Sequence, residues 1–404
     1  PALSPPPVGE SHPAPDTTPR RDRPCHSLPH RCTLPISLDT AACRNFDNAI
    51  QNEWLATNGL GGYASGTVAG ANSRKYHGYL VVAANPPVQR FVVLSRVEDS
   101  VILGGPTDDA SSTPASDKSN PAAPASTPLG GGVYDLSTDE FSDIIHPQGY
   151  KNLISFSLAH GPTWRFQVGD AVIEKSLTLV HGTDAVILRY TLVSCSGNAP
   201  VKLLVQPMLA GRDFHATINL YQRPWWTVDT NTDGSLSMHA PECPVKLHLT
   251  HNADRFTTNA CWWYNFTYRL ERQRGYPDRE DLWTPGVLEF SLTPNHPVGF
   301  IASTRPIPWS NADELIRHTQ SRYERLAATF HKTDPKDDFL ASLAQAADQF
   351  VVRRAADSSK THTSVNGGGA TGCACGGAST IGGGASVIAG YPWFTDWGRD
   401  TMIA

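Results

Sequence analysis

The chain has 404 residues, 40% of them apolar, and a formal net charge of −5. That length suits two domains, or one large domain with insertions, and supplies a real core. The acidic balance and the lack of a basic stripe argue against nucleic acid as a partner, and no apolar run reaches the roughly 18 residues of a membrane-spanning helix.

Residues 1 to about 40 are rich in Pro, His and Arg and are expected to be a disordered tail. The tail lacks the apolar centre of a secretory signal and turns basic toward its end, so a cytoplasmic location is expected, with an organelle transit peptide as the alternative. The eight cysteines are scattered, which suits a reducing compartment better than a disulfide scaffold. Cys25, His26, His30 and Cys32 fit no common zinc spacing, and neither a metal nor a cofactor is expected.

The stretch NEWLATNGLGGYASGTVAGANSRKYHGYLVVA follows. Gly59, Gly61 and Ala64 satisfy a dinucleotide fingerprint on paper, but no apolar strand precedes Gly59 and no acidic residue lies about 20 positions downstream to hold a ribose. Two readings stay open: a plain turn between strands, or a loop whose glycines and polar side chains, among them Arg74, Tyr76 and His77, approach a hydroxylated ligand.

From residue 90 the pattern is mainly β. Runs such as RFVVLSRVEDSVIL, TWRFQV, AVIEKSLTLV, AVILRYTLV, VLEFSL and VGFIAS alternate apolar and polar residues between Gly, Pro, Asn and Asp. So many short strands without intervening helices predict a large antiparallel β-sandwich over 41–305. Low-complexity stretches at 104–132 and 357–386 are read as inserts. WWYNFTYRLERQRGYPDREDLWTPG mixes aromatic and charged residues; it reads equally as a sugar-stacking surface or as a strand with a salt-bridged loop.

The period changes after Pro308. Leu315, Ile316, Thr319, Tyr323, Leu326 and Phe330 recur at helical spacing, with Ser310 and Asp313 as a capping box. A second helix is predicted from Asp334 and Pro335, with Phe339, Leu343, Ala347, Phe350 and Val351 on one face. These form a helical linker over 306–356.

The chain closes on AGYPWFTDWGRDTMIA. Trp397, Arg399 and Asp400 put a stacking ring, a forked donor and an anionic acceptor close together, as a pyranose site requires, with Trp393 and Asp396 just before them. The bland alternative is a helix start in which Asp400 and Thr401 cap backbone amides.

The run from Trp54 to Gly78 resembles the N-terminal domain of prokaryotic-type glycogen debranching enzymes, the amylo-α-1,6-glucosidase family. YDLSTDEF, RGYPDREDLWTPG, AADQFVVRR and the closing stretch look like later blocks of that family in the same order. The resemblance implies a mainly β fold: a β-sandwich, linker helices and, from about residue 387, the first segment of an (α/α)6 toroid. It further implies hydrolysis of α-1,6 branch linkages in glycogen or another branched α-glucan, by an inverting mechanism. Similarity to glucoamylases makes Arg399 and Asp400 binders of the terminal glucose, with the acid and base expected beyond Ala404 and the 404-residue fragment inactive. Alternatives are a non-catalytic glucan-binding sandwich and an α-glucosidase of glucoamylase or trehalase type. Oligomeric state and any accompanying transferase activity are not readable from the sequence.

Overall fold

The computed structural model describes residues 36–85, 88–104, 132–142, 144–196, 200–219, 221–331, 338–353, 385–388 and 390–393. Most of the N-terminal tail, most of each low-complexity insert and the closing run from Phe394 onward therefore lie outside the described residues.

Two antiparallel sheets face each other. The first has nine strands, in the spatial order Ile36–Leu38, Leu153–Leu158, Pro162–Val168, Ala171–Leu179, Ala185–Cys195, Val298–Ser303, Leu247–His251, Leu236–His239 and Thr227–Thr230. The second has ten. Nine run in the order Glu53–Thr57, Tyr63–Thr67, Gly78–Asn85, Val88–Leu103, Val201–Asp213, Arg279–Leu292, Arg255–Thr267, Thr138–Phe141 and Ile144–Gln148, and Gly132–Asp135 pairs beside Val88–Leu103.

Period-two patterning explains the layers. Along Ala171–Leu179 every odd-numbered residue is buried and every even-numbered one half-buried. Phe156, Trp164, Phe166, Ile173, Leu177 and Leu188 of the first sheet meet Trp54, Leu80, Leu94, Leu203, Val205 and Phe290 of the second in one core. Several charges are buried in the sandwich with their partners. Lys175 Nζ lies 2.6 Å from Asp99 Oδ2, which also accepts from Tyr190 Oη at 2.6 Å. Arg96 pairs with Glu98 at 3.0 Å and with Asp139. Burial, reinforced by Glu98, holds the Asp139 carboxyl well above the usual range despite Arg96.

The second sheet is covered on its other face too. Tyr63, Val81, Val92, Met208, Ala210 and Leu282 pack against Phe214 and Ile218 and against Val352, Ile388 and Tyr391.

Three sequence expectations change in detail. A strand at Ile36–Leu38 lies inside the stretch read as tail, because it completes the edge of the first sheet against Leu153–Leu158. The first linker helix runs Ala312–His331 but is entered through a 3-10 turn at Trp309–Asn311. Asp313 is drawn to Arg189 Nη1 at 2.9 Å rather than back to Ser310. The second helix ends at Asp348, and Val351–Arg353 forms a strand paired with Ala385–Val387, which straddles the expected end of the glycine-rich insert at residue 386. Asp334 and Pro335 lie outside the described residues. No described helix is long and apolar enough to cross a membrane.

Candidate functional site

The site is built on the outward face of the second sheet, where the last described segment docks. The glycine-rich turn after Thr57 supplies its floor. Gly59 has φ +72°, and a Cβ there would lie 2.5 Å from His181 Cε1, so only glycine fits. The carbonyls of this turn are engaged: Gly59 accepts from Arg353 N at 2.9 Å and Gly61 from Arg90 Nε at 2.7 Å. Asn58 is buried, donating to Asp184 at 2.7 Å and accepting from Leu60 N at 2.9 Å. The loop thus spends its glycines and donors on the protein itself.

Arg90 sits at the centre with no exposed surface. Its guanidinium lies 4.7 Å from the ring centroid of Tyr391, 5.5 Å from Phe214 and 5.6 Å from Tyr63. This cage joins the sheet, the loop after Asp213 and the C-terminal segment through cation–π contacts in a desolvated setting. Burial pushes the Tyr391 hydroxyl up to about 12 and the Tyr63 hydroxyl further.

Beside the cage lie three residues singled out in the sequence. Arg74 donates through Nε to Glu53 Oε1 at 2.7 Å, and its guanidinium lies 5.1 Å from the Trp393 ring centroid. Tyr76 is buried; its carbonyl accepts from Tyr63 Oη at 2.7 Å and its hydroxyl meets His215 Nδ1 at 3.2 Å. His77 is fully buried, and Nδ1 accepts from Ser73 N at 3.2 Å. Burial, reinforced by Arg74, lowers His77 to about 3, so it is neutral at pH 7. The structure therefore brings Arg74 and Trp393 together and buries Tyr76 and His77 in the turn that carries Arg74. Asp396, Trp397, Arg399 and Asp400 lie outside the described residues.

The mixed aromatic and charged stretch folds as strand, short helix and strand: Arg255–Thr267, Arg269–Gln273 and Arg279–Leu292. Glu280 is buried there. Its Oε2 accepts from Arg212 Nη2 at 2.8 Å and its Oε1 from Ile218 N at 3.1 Å, while Arg212 Nε and Tyr268 Oη make further close bonds. Arg212 in turn donates to the Lys75 carbonyl at 2.8 Å, which braces the turn carrying Arg74.

Sequence reasoning missed Glu53, Arg90, His215 and Tyr391. Each gains its role from a partner far away in the chain, so no local spacing could have flagged it. Chemically, the described residues hold the segment that carries Trp393 and present no free acid or base at its contact with Arg74. The carboxylates Glu53 and Glu280 are held in ion pairs, and His77 is neutral and enclosed. Among the described residues, the buried Nε1 of Trp393 is one of the donors that find no hydrogen-bond partner.

The chain matches the family model described as glycogen debranching enzyme N terminal over residues 52–121 and 125–299. It matches the one described as amylo-alpha-1,6-glucosidase over residues 345–404. No curated protein matches it. Among solved structures, a bacterial glucoamylase complexed with acarbose is similar at 10% identity and a TM-score of 0.30, over 68% of this chain and 38% of that one. The chain thus spans well under two thirds of that protein's length. With more than half of its residues inside the first family model, the chain belongs to the glycogen debranching enzyme family.

Proposed function

We propose that this chain serves the hydrolysis of α-1,6-glucosidic branch linkages in glycogen or a related branched α-glucan, with inversion at the anomeric carbon. The observation that carries the reading is the contact of Arg74 with Trp393, because it fastens the amylo-alpha-1,6-glucosidase stretch onto the sandwich just before the Trp-Gly-Arg-Asp run.

In this reading Trp397 stacks on the nonreducing terminal glucose, while Arg399 and Asp400 hold vicinal hydroxyls and Asp396 lines the same pocket. Trp393 anchors the run, and its free indole N–H is available to the sugar or to the run's own backbone. Arg74, held by Glu53, sets the position of Trp393, and Tyr76 and His77 hold the turn that presents Arg74. An inverting glycosidase needs an acid and a base roughly 6.5–9.5 Å apart with a water between them. Glu53 and Glu280 are tied to arginines and do not suit either role. The resemblance to glucoamylases, in which the Trp-Gly-Arg-Asp-like run binds the sugar, assigns the acid and base to other residues of a glucosidase domain.

The test is product analysis on a phosphorylase limit dextrin. Residues 1–404 alone are expected to release no glucose. A chain carrying the complete amylo-alpha-1,6-glucosidase domain is expected to release β-glucose, read by NMR before mutarotation. Glucose from the 404 residues, or α-glucose from the longer chain, would overturn the assignment.

A further inference from the structure

We infer that the segment 221–226 and the neighbouring strand Arg255–Thr267 form a second glucan-binding surface on the sandwich, built by residues other than the 396–400 run. The inference rests on the reading above for its ligand class, a neutral α-glucan chain.

Two large rings are left in water: Tyr221 is 91% exposed and Trp225 78%. The two rings lie four residues apart on one segment and leave their faces to solvent, where they can stack on a ligand. The segment bearing them is anchored. Trp226 is buried and stacks on Trp283, with centroids 5.6 Å apart and planes at 12°. Gly211 makes the room, since a Cβ there would lie 2.6 Å from Trp226 Cζ2. Arg223 lies 4.7 Å from the Tyr264 ring centroid and 5.5 Å from that of Trp262. Held at residues 223 and 226, Tyr221 and Trp225 lose less freedom when a ligand arrives than rings on a free loop would.

Charge narrows the ligand. Arg223 Nε is 3.5 Å from Asp281 Oδ2, so its charge is already matched within the protein. Beside that matched pair Tyr221 and Trp225 offer ring faces, a phenol and an indole N–H, none of them charged. That suits a neutral polyol, whose C–H faces stack on rings and whose hydroxyls find donors and acceptors. It suits a phosphorylated or acidic partner poorly.

The probe is soluble glycogen, cast into native gels run with the 404-residue chain. The chain is expected to be retarded. Trp225→Ala and Tyr221→Ala should each weaken retardation about tenfold, equivalent to about 1.4 kcal/mol, and Trp225→Phe should keep most of it. Both side chains are exposed, so the melting temperature should not move. No retardation, or equal retardation of the double alanine variant, would overturn the inference. So would a concentration-dependent dimer in sedimentation velocity that Trp225→Ala abolishes, since a second copy would then be the occupant. Glucose release by the longer chain is scored in parallel: release without retardation sinks only this surface, and retardation without release sinks only the hydrolytic reading.

Discussion

Glu280→Ala is expected to lower the unfolding free energy by about 3–5 kcal/mol, the usual result of stranding one member of a buried ion pair. Glu280 has no exposed surface and satisfies four donors: Arg212 Nε and Nη2, Tyr268 Oη and Ile218 N. Its removal leaves the Arg212 guanidinium, among the described residues, with the neutral carbonyls of Lys75 and Asp213 and the Tyr268 hydroxyl and no opposite charge. An uncompensated charge in a desolvated site costs more than the pair contributed when intact. Replacing both partners by apolar residues, as in Glu280→Leu with Arg212→Met, should recover most of the loss. Urea unfolding of the single and double variants checks this, and a single-variant loss below about 1 kcal/mol would refute it. The effect should reach the site, because Arg212 braces the turn that carries Arg74.

The second large effect is on pH. His77 is buried and its pKa is lowered to about 3 by burial and by Arg74, against about 6.5 in an unfolded chain. A depressed pKa means that the unfolded chain binds the proton first. The stability contributed by neutral His77 is thus complete above about pH 6.5 and is lost progressively as pH falls toward 3. At about 1.4 kcal/mol per pH unit, acidifying from pH 7 to 4.5 should cost about 2–3 kcal/mol through this group. His77→Asn keeps an acceptor for Ser73 N but cannot take up the proton. The variant should be less stable at pH 7 and yet flatter in its pH dependence by about one proton, read from urea midpoints. An unchanged slope would mean that His77 does not titrate as described. Asp139 contributes with the opposite sign: its raised pKa favours the folded state at low pH, and that share fades as pH rises.

Much of the fold was legible because strand alternation is local. The odd–even pattern of Ala171–Leu179 is visible in the letters alone, and the change of period after Pro308 announced the linker helices. Details failed where tertiary partners outvoted local signals. Val351 fits a helical stripe, yet it pairs with Val387 in a ladder whose Arg353 donates to the glycine-rich turn. Asp313 looks like a capping residue, yet Arg189 on the first sheet claims it.

The site was half legible for a related reason. Arg74, Tyr76 and His77 stood out as polar residues in a glycine-rich turn, but residue type alone does not tell a ligand contact from a buried brace. That distinction comes from Glu53, His215 and Trp393, which the fold brings in from elsewhere. Arg90 gave no signal, because an arginine opening a strand usually reaches solvent. Here it is enclosed by Tyr63, Phe214 and Tyr391.

The account turns on the fastening of the glucosidase stretch to the sandwich through Arg74 and Trp393. A double-mutant cycle of Arg74→Ala and Trp393→Ala, followed by urea unfolding of the 404-residue chain, measures that contact directly. A coupling of about 1–2 kcal/mol is predicted. Effects that add to within about 0.3 kcal/mol would contradict it.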